Sequence, residues 1–407
     1  MHPRWRWLAT TWFVASLVPV PAVAGSLAER LHHFIDTRGF PTFGEFVEVV
    51  TPVVERLAVR GIDFPVTATS PAVSYRFNFD TGAFEPAPAS LGPVFVERAE
   101  TVGQKGRFDL GVSYLYANLT EFDGKAFGPQ IVTAGKREDP ATGLQVASAF
   151  AGTRFSVASH VTSFSATYGL SERWDVNLLV PLVATSLTLA GNSATILAVG
   201  GREVSARGAE RFEGSAFGVG DVLLRTKYRF RDDPSAKLAG ALTLRLPSGN
   251  EGDFHGLGDV TVYPAAVVSR PIRTHDVHGS LGVELNADDL QRTRARYAIG
   301  TTLQPVAKLA VLLDVIGSSS FVDDRFVIRA PAGQLFPEFS GLQDLVASRS
   351  AQRLVAFVPR SDVVDFAFGI RVNPLKTAVA FATAIVPITK DGLRAEAIGS
   401  AGVEVSF

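Results

Sequence analysis

The 407-residue sequence has no cysteine at all. That excludes disulfides, thiolate metal sites and a lipoprotein anchor on an N-terminal Cys. Charge of one sign is also missing, because 39 Lys and Arg against 40 Asp and Glu leave a net charge of −1. No basic surface points to nucleic acid, and no acidic tail points to a basic partner. Past the N-terminus there are no apolar runs of about 20 residues, so no spanning helix is expected. Hydrophobic residues are nevertheless abundant, at 46% against 19% charged. They are interrupted at every second position, which leaves a soluble β-protein or a β-barrel.

At the start, His2, Arg4 and Arg6 precede the apolar stretch Leu8 to Val20, and Ala22-Val23-Ala24 supplies a small-residue cleavage pattern. This predicts a signal peptide over residues 1–24 and an exported chain of 407 − 24 = 383 residues. Residues 25–106 are rich in Pro and Phe without sustained period 2, and are expected to form a plug or a periplasmic segment. Leu27 to Ile35 and Phe46 to Val59 have the spacing of short amphipathic helices. Pro71, Pro86, Pro88 and Pro93 make Thr67 to Pro93 an extended or looping stretch, although Thr67 to Val96 could hide one more hairpin.

From Arg107 the pattern turns to period 2, with Phe108, Leu110, Val112, Tyr114 and Tyr116 on one face and Asp109, Gly111 and Ser113 on the other. Further strands are expected near 154–168, 174–189, 221–230, 237–246, 260–269, 277–286, 294–304, 309–318, 364–373 and 377–388. The last runs from Leu393 to Phe407, which makes twelve, or fourteen with the extra hairpin. In the second, Phe155, Val157 and Val161 are out of phase with Phe164, Ala166 and Tyr168, which predicts a bulge.

Several of these segments reach about 9–11 residues, enough to cross a bilayer at a tilt and longer than the strands of a typical sandwich. Their connections alternate short and long, as outer-membrane barrels pair short periplasmic turns with longer external loops. In lipid every backbone polar group must pair internally, so a sheet that spans must close. The fold class expected is therefore all-β, a transmembrane antiparallel barrel over residues 107–407 in the bacterial outer membrane. Its terminal strand should run towards the periplasm and pair with Arg107 to Leu119. Val403, Val405 and Phe407 have the form of an assembly signal, which makes the barrel-assembly machinery an expected partner beside outer-membrane lipid.

Three stretches resemble the outer-membrane channel family named for the meta-pathway of phenol degradation. They are Glu97 to Tyr116 (ERAETVGQKGRFDLGVSYLY), Gly218 to Phe230 (GVGDVLLRTKYRF), and Leu246-Pro247-Ser248-Gly249 followed by Gly256-Leu257-Gly258-Asp259. The resemblance spans about Pro93 to Phe407 and implies a barrel that passes small hydrophobic or aromatic solutes. The alternative from another class is a non-conducting structural or adhesion barrel acting through its external loops.

The expected inward face carries charges of both signs: Asp109, Asp175, Asp221, Lys308, Asp365, Arg394, Glu396 and Glu404 join the main candidates for lining or selecting in the lumen. Those candidates are Arg225, Lys227, Arg229, Arg245, Glu284, Arg294, Arg296, Asp314 and Arg371. In so narrow a lumen, mixed signs predict pairing across it. Arg225, Lys227, Arg229 and Arg245, on neighbouring strands, form the best candidate for a charged constriction. Catalysis, cofactors and metals are not expected. His275 and His278 fall on opposite strand faces, and His160 beside Ser159 and Ser163 lacks a motif that would mark a nucleophile. Asp323-Asp324 sits in the long loop after the ninth strand, where Gly341 to Ser348 has weak helical spacing.

Overall fold

The computed structural model describes residues 25–39, 75–78, 83–86, 95–102 and most of 105–406, the larger gaps in the last range being 127–131, 139–144 and 330–352. The expected signal peptide, the helix expected over Phe46 to Val59, the one near Gly341 to Ser348, Asp323 and Phe407 lie outside the described residues.

Twelve antiparallel strands make the wall: β1 (Phe108–Phe122), β2 (Gln145–Ser171), β3 (Trp174–Val199), β4 (Val222–Asp232), β5 (Lys237–Leu246), β6 (Thr261–Ile272), β7 (His275–Asn286), β8 (Arg294–Val306), β9 (Leu309–Ser320), β10 (Asp362–Leu375), β11 (Ala378–Pro387) and β12 (Leu393–Ser406). Each pairs with its neighbours in sequence. The sheet closes where β12 pairs with β1, Val403 opposite Val112 and Ser406 opposite Asp109. Closure removes the free edges that no lipid could solvate. The hairpin suspected before Val96 exists as Tyr75–Asn78 paired with Ala83–Pro86, in a separate two-stranded sheet, so the barrel count is twelve.

The alternation of β1 places Phe108, Leu110, Val112, Tyr114 and Tyr116 outside, each more than a third exposed, and buries Asp109, Leu115, Ala117 and Leu119 inside. The same rule puts Leu178, Leu224, Leu242, Val268, Leu281, Ile299, Phe368 and Val403 on the outer surface. A continuous apolar skin on a closed sheet is the face a bilayer wets. At the short-turn end, aromatics pair across strands on that skin: Phe108 with Tyr168 and Trp174 with Tyr228. The Trp174 indole N–H donates to Thr226 Oγ1 at 2.6 Å, so its polar edge is satisfied. Short turns mark the periplasmic end and the longer connections the external end.

One expectation about a strand fails instructively. β2 is in unbroken register with β3 from Arg154 to Gly169, so no bulge separates Phe155 and Val157 from Phe164 and Tyr168. Phe155, Val157 and Ser159 are buried inside while Phe164 and Tyr168 point out. The phase is constant; what changes is which face is apolar. In β3 the inner face likewise passes from Asp175 and Asn177 to Leu179, Val183, Leu187 and Leu189 going outward. A register shift does occur in β12, between Arg394 and Ile398. Leu393 and Ala395 are therefore buried inside although Val403 points out, and Glu396, expected inside, is exposed. Lys308, also expected inside, is an exposed turn residue.

Beyond the barrel, β2 and β3 continue into a four-stranded antiparallel blade with 132–138 and 202–219. Helix α1 (Leu27–Gly39) lies at this external end. Ser26 and Glu29 form a reciprocal cap: Ser26 Oγ accepts from Glu29 N at 3.2 Å and Glu29 Oε2 accepts from Ser26 N at 3.0 Å. Leu27 and Leu31 are fully buried, and Phe34 packs against Phe150 and Phe212 with ring centroids 6.5 and 5.5 Å away.

Candidate functional site: a lumen crossed by residues 95–102

Residues 95–102, Phe-Val-Glu-Arg-Ala-Glu-Thr-Val, cross the inside of the barrel as a strap. Phe95 enters an apolar cluster of Ala310, Leu312, Ala367, Val379, Phe381 and Ile385 on β9, β10 and β11. On the opposite wall Ala99 packs with Ala239, Ala241 and Val267 of β5 and β6, and its N–H donates to Ser269 Oγ at 2.9 Å. Nearer the periplasmic end, Thr101 Oγ1 donates to the Glu172 carbonyl at 2.8 Å and Val102 N–H to Asp175 Oδ2 at 3.1 Å. The small Ala99 lets the strap approach the wall, and wall side chains satisfy its backbone where no ladder can.

Glu97 is the strap's charged anchor. Its carboxylate meets Arg225 Nη2 at 2.5 Å and Lys227 Nζ at 3.1 Å. Lys227 also donates to the Arg98 carbonyl at 3.1 Å and lies 4.0 Å from Asp175. Glu100, three residues on, reaches Lys237 at 3.2 Å. Glu97 and Lys227 are at most 5% exposed, so both charges sit away from bulk water and depend on each other.

The basic group expected as one constriction is divided by height. Arg225 and Lys227 hold the strap. Arg229 sits at the periplasmic rim on Asp232 and the Glu172 carbonyl, and Arg245 lies 3.6 Å from Asp221 near the external end. Glu284 gathers Arg294 at 2.7 Å and Arg296 beside it. Asp314 accepts from the Phe95 N–H at 3.5 Å. Arg371 is fully buried, 3.6 Å from Glu404 and with its guanidinium 5.4 Å above the Phe381 ring. Among the described residues its Nε and Nη1 have no hydrogen-bond partner. Arg394 is paired with Asp365. Val403 is on the outer surface and Val405 half-buried.

A cavity of about 150 Å³ opens above the strap in the external half of β4 to β9. Its apolar lining includes Phe95, Leu223, Tyr263 and Ile316, and its charged lining is Glu97, Arg225, Arg245, Glu284 and Arg296.

Over the mouth, the two glycine-rich motifs meet. Asp221, closing Gly218-Val219-Gly220-Asp221, accepts from Gly249 N–H at 3.1 Å and Leu257 N–H at 2.8 Å. Ser248 Oγ donates to the Gly220 carbonyl at 2.8 Å and accepts from Val222 N–H at 2.9 Å. Gly256 packs so closely against the Asp221 carboxylate that a Cβ would overlap it, which excludes any other residue there without movement. His255 lies under Gly218, and burial pulls its imidazole below the ordinary value.

His160 points outward and meets the Tyr114 hydroxyl at 2.6 Å, whereas Ser159 is buried inside, so the two lie on opposite faces. His278 is buried inside against Ser269 Oγ at 3.0 Å. Among the described residues no group of three His, Asp or Glu is placed to hold a metal ion, and no helix is long and apolar enough to cross a membrane.

A closed twelve-strand barrel with an apolar skin, an aromatic belt at its short-turn end and a charged, strapped interior is an outer-membrane β-barrel. Residues 132–325 match the model of the family described as "Putative MetA-pathway of phenol degradation", which is the family the sequence motifs resemble. Solved structures similar to the chain include an outer-membrane channel from Pseudomonas putida F1, at 10% identity over 76% of this chain and 98% of that one, with a TM-score of 0.48. They also include the P. putida toluene transporter TodX, at 10% identity over 74% and 89%, with a TM-score of 0.32. The Ralstonia pickettii toluene transporter TbuX aligns at 12% identity over 84% and 98%, with a TM-score of 0.26. No curated protein matches in sequence. The fold and its membrane setting rest on this chain's own register and outer face.

Proposed function

We propose that the barrel is a channel for passive uptake of small hydrophobic or aromatic molecules, gated by residues 95–102. The observation that carries the reading is the lumen itself: an apolar upper interior and a cavity with apolar and charged lining, closed below by a strap that side-chain contacts hold to the wall. A strap that lies outside the barrel's strand ladder can move without a change in the wall. Residues 25–106 then act as the plug region, with α1 at the mouth and the strap at the floor.

A disulfide lock tests this reading, because the native chain has no cysteine to interfere. Ala99→Cys with Ser269→Cys, which join positions already in contact, should block toluene entry into proteoliposomes when oxidised and restore it on reduction. Uptake unaffected by oxidation would remove the strap from the pathway. Val403, Val405 and Phe407 are proposed to engage the barrel-assembly machinery.

A second reading, adhesion through external elements, is favoured by the blade, whose far end exposes Ile196, Leu197 and Val204, the last at 65%. Trimming residues 190–211 to a short turn separates the two, since it should leave uptake intact and abolish any surface attachment.

A further inference from the structure

We propose that a groove on the outer wall, over β4 to β6, binds one anionic phospholipid of the periplasmic leaflet, with an acyl chain in the groove and the phosphate between Arg270 and Arg173. The inference is independent of the uptake reading and concerns the other face of the wall.

Small residues make the groove. At one height the outward-facing row over β3 to β7 runs Trp174, Tyr228, Gly240, Ala266 and Leu281. Gly240 and Ala266 give a floor two strands wide, and a Cβ at Gly240 would meet nothing within 4 Å. Trp174, Tyr228 and Phe230, each roughly half-exposed, form one bank, and Leu281, at 62% exposure, forms the other. With strands about 4.8 Å apart, Tyr228 and Leu281 stand about 14 Å apart across the floor, which leaves width for a hydrocarbon chain between their side chains. The depression holds about 650 Å³. Its bank presents no free indole N–H, because Trp174 donates to Thr226 Oγ1, which in turn donates to the Asp175 carbonyl at 3.2 Å. Water in such a space would find few partners, whereas an acyl chain needs none.

Charge at the lower end selects the head group. The groove lies at the short-turn end, where the aromatic belt meets the periplasmic head groups. Arg270 stands on the floor strand β6, on the same face as Ala266 and about 13 Å further towards the periplasm. Arg173 is exposed in the turn before Trp174, on the aromatic side. Neither arginine side chain has an ion-pair partner among the described residues. Arg231, opposite Leu238, is a third exposed cation, in a surface pair with Asp233 at 2.6 Å that water weakens. Of the other carboxylates at this rim, Asp232 pairs with Arg229 at 3.0 Å, Glu172 is exposed beside Arg173, and alternation puts Asp276 on the inner face. Guanidinium groups at head-group depth hold phosphate by charge-assisted hydrogen bonds, and a lipid of net negative charge gains more from them than a zwitterion does.

Native mass spectrometry of the full chain, purified in detergent and loaded with an equimolar mixture of phosphatidylglycerol and phosphatidylethanolamine, tests the proposal. One phosphatidylglycerol per chain should stay bound, favoured about tenfold or more over phosphatidylethanolamine. Arg173→Gln combined with Arg270→Gln should bring the two lipids to equal retention. Gly240→Leu, which fills the floor without touching a charge, should lower retention of both. Gly399→Leu places the same side chain at an outward glycine of β12 with equally open space, and should leave retention as it was. Equal retention of the two lipids by the native chain would overturn the anionic site. Retention unchanged in Gly240→Leu, or lowered as much in Gly399→Leu, would overturn the groove.

Discussion

At the scale of single residues, Glu97 carries the most. It is the strap's contact with two cations, and removing it would take from Arg225 and Lys227 the buried carboxylate they share. Stranding buried charge in this way costs about 3–5 kcal/mol. Glu97→Ala should lower the unfolding midpoint in detergent by a corresponding amount, whereas exposed Arg211→Ala, whose partner Glu213 is equally exposed, should change it little. His255 offers a pH readout. Burial depresses its imidazole, so below about pH 6.5 the unfolded chain binds a proton that the folded loop refuses, and stability falls with falling pH. Hydrogen exchange of residues 247–260 should accelerate on going from pH 7.5 to 5.5, and His255→Phe should flatten that response. Identical pH dependence in the variant would assign the effect elsewhere.

Elements show how far a pattern can be read. The twelve strands and their short turns follow from period 2, since the lipid side tolerates only apolar residues along most of each strand. Reading apolar as outward fails in β2 and β3, because their external halves bury apolar residues on the inner face as well, Phe150 among them against Phe34 of α1. A pattern cannot tell lipid from a packed interior when both are apolar. β12 shows the same limit in another form: its alternation is continuous in sequence, but the register shift near Ala395 turns its first residues inward. The rest of β12 pairs with β1 as its pattern requires. Deleting Phe407, next to this closing strand, should reduce membrane-inserted protein more than any single lumen substitution such as Arg371→Ala, as measured by the yield in outer-membrane fractions.

For the whole molecule, closure makes a single cooperative object whose wall is hydrogen-bonded from strand to strand all the way round. Unboiled protein should therefore run at a different apparent size from boiled protein on a denaturing gel. Mobility unchanged by boiling would contradict the β12–β1 seam. The strap belongs at this scale too, because it touches strands from β3 to β11 and so ties opposite walls together. Its sequence stands at the edge of the Pro-rich region, where neither helical nor strand periodicity marks it, and its path from Phe95 to Val102 is set by the wall residues around it. Of the three stretches that carry the family resemblance, one contains most of this strap and the other two form the Asp221 lock over the mouth.

Period 2 and the alternation of short and long connections determined by themselves that the chain is a barrel of about a dozen strands, because the bilayer imposes those patterns locally, strand by strand. Which charges meet was decided only by the tertiary structure. Arg225 and Arg245 look like one cluster along the chain, yet one holds Glu97 on the strap and the other lies against Asp221 at the mouth. Partners far apart in the chain, such as Glu97 and Arg225, are chosen by barrel height and by the strap's path, and neither leaves a period in the sequence.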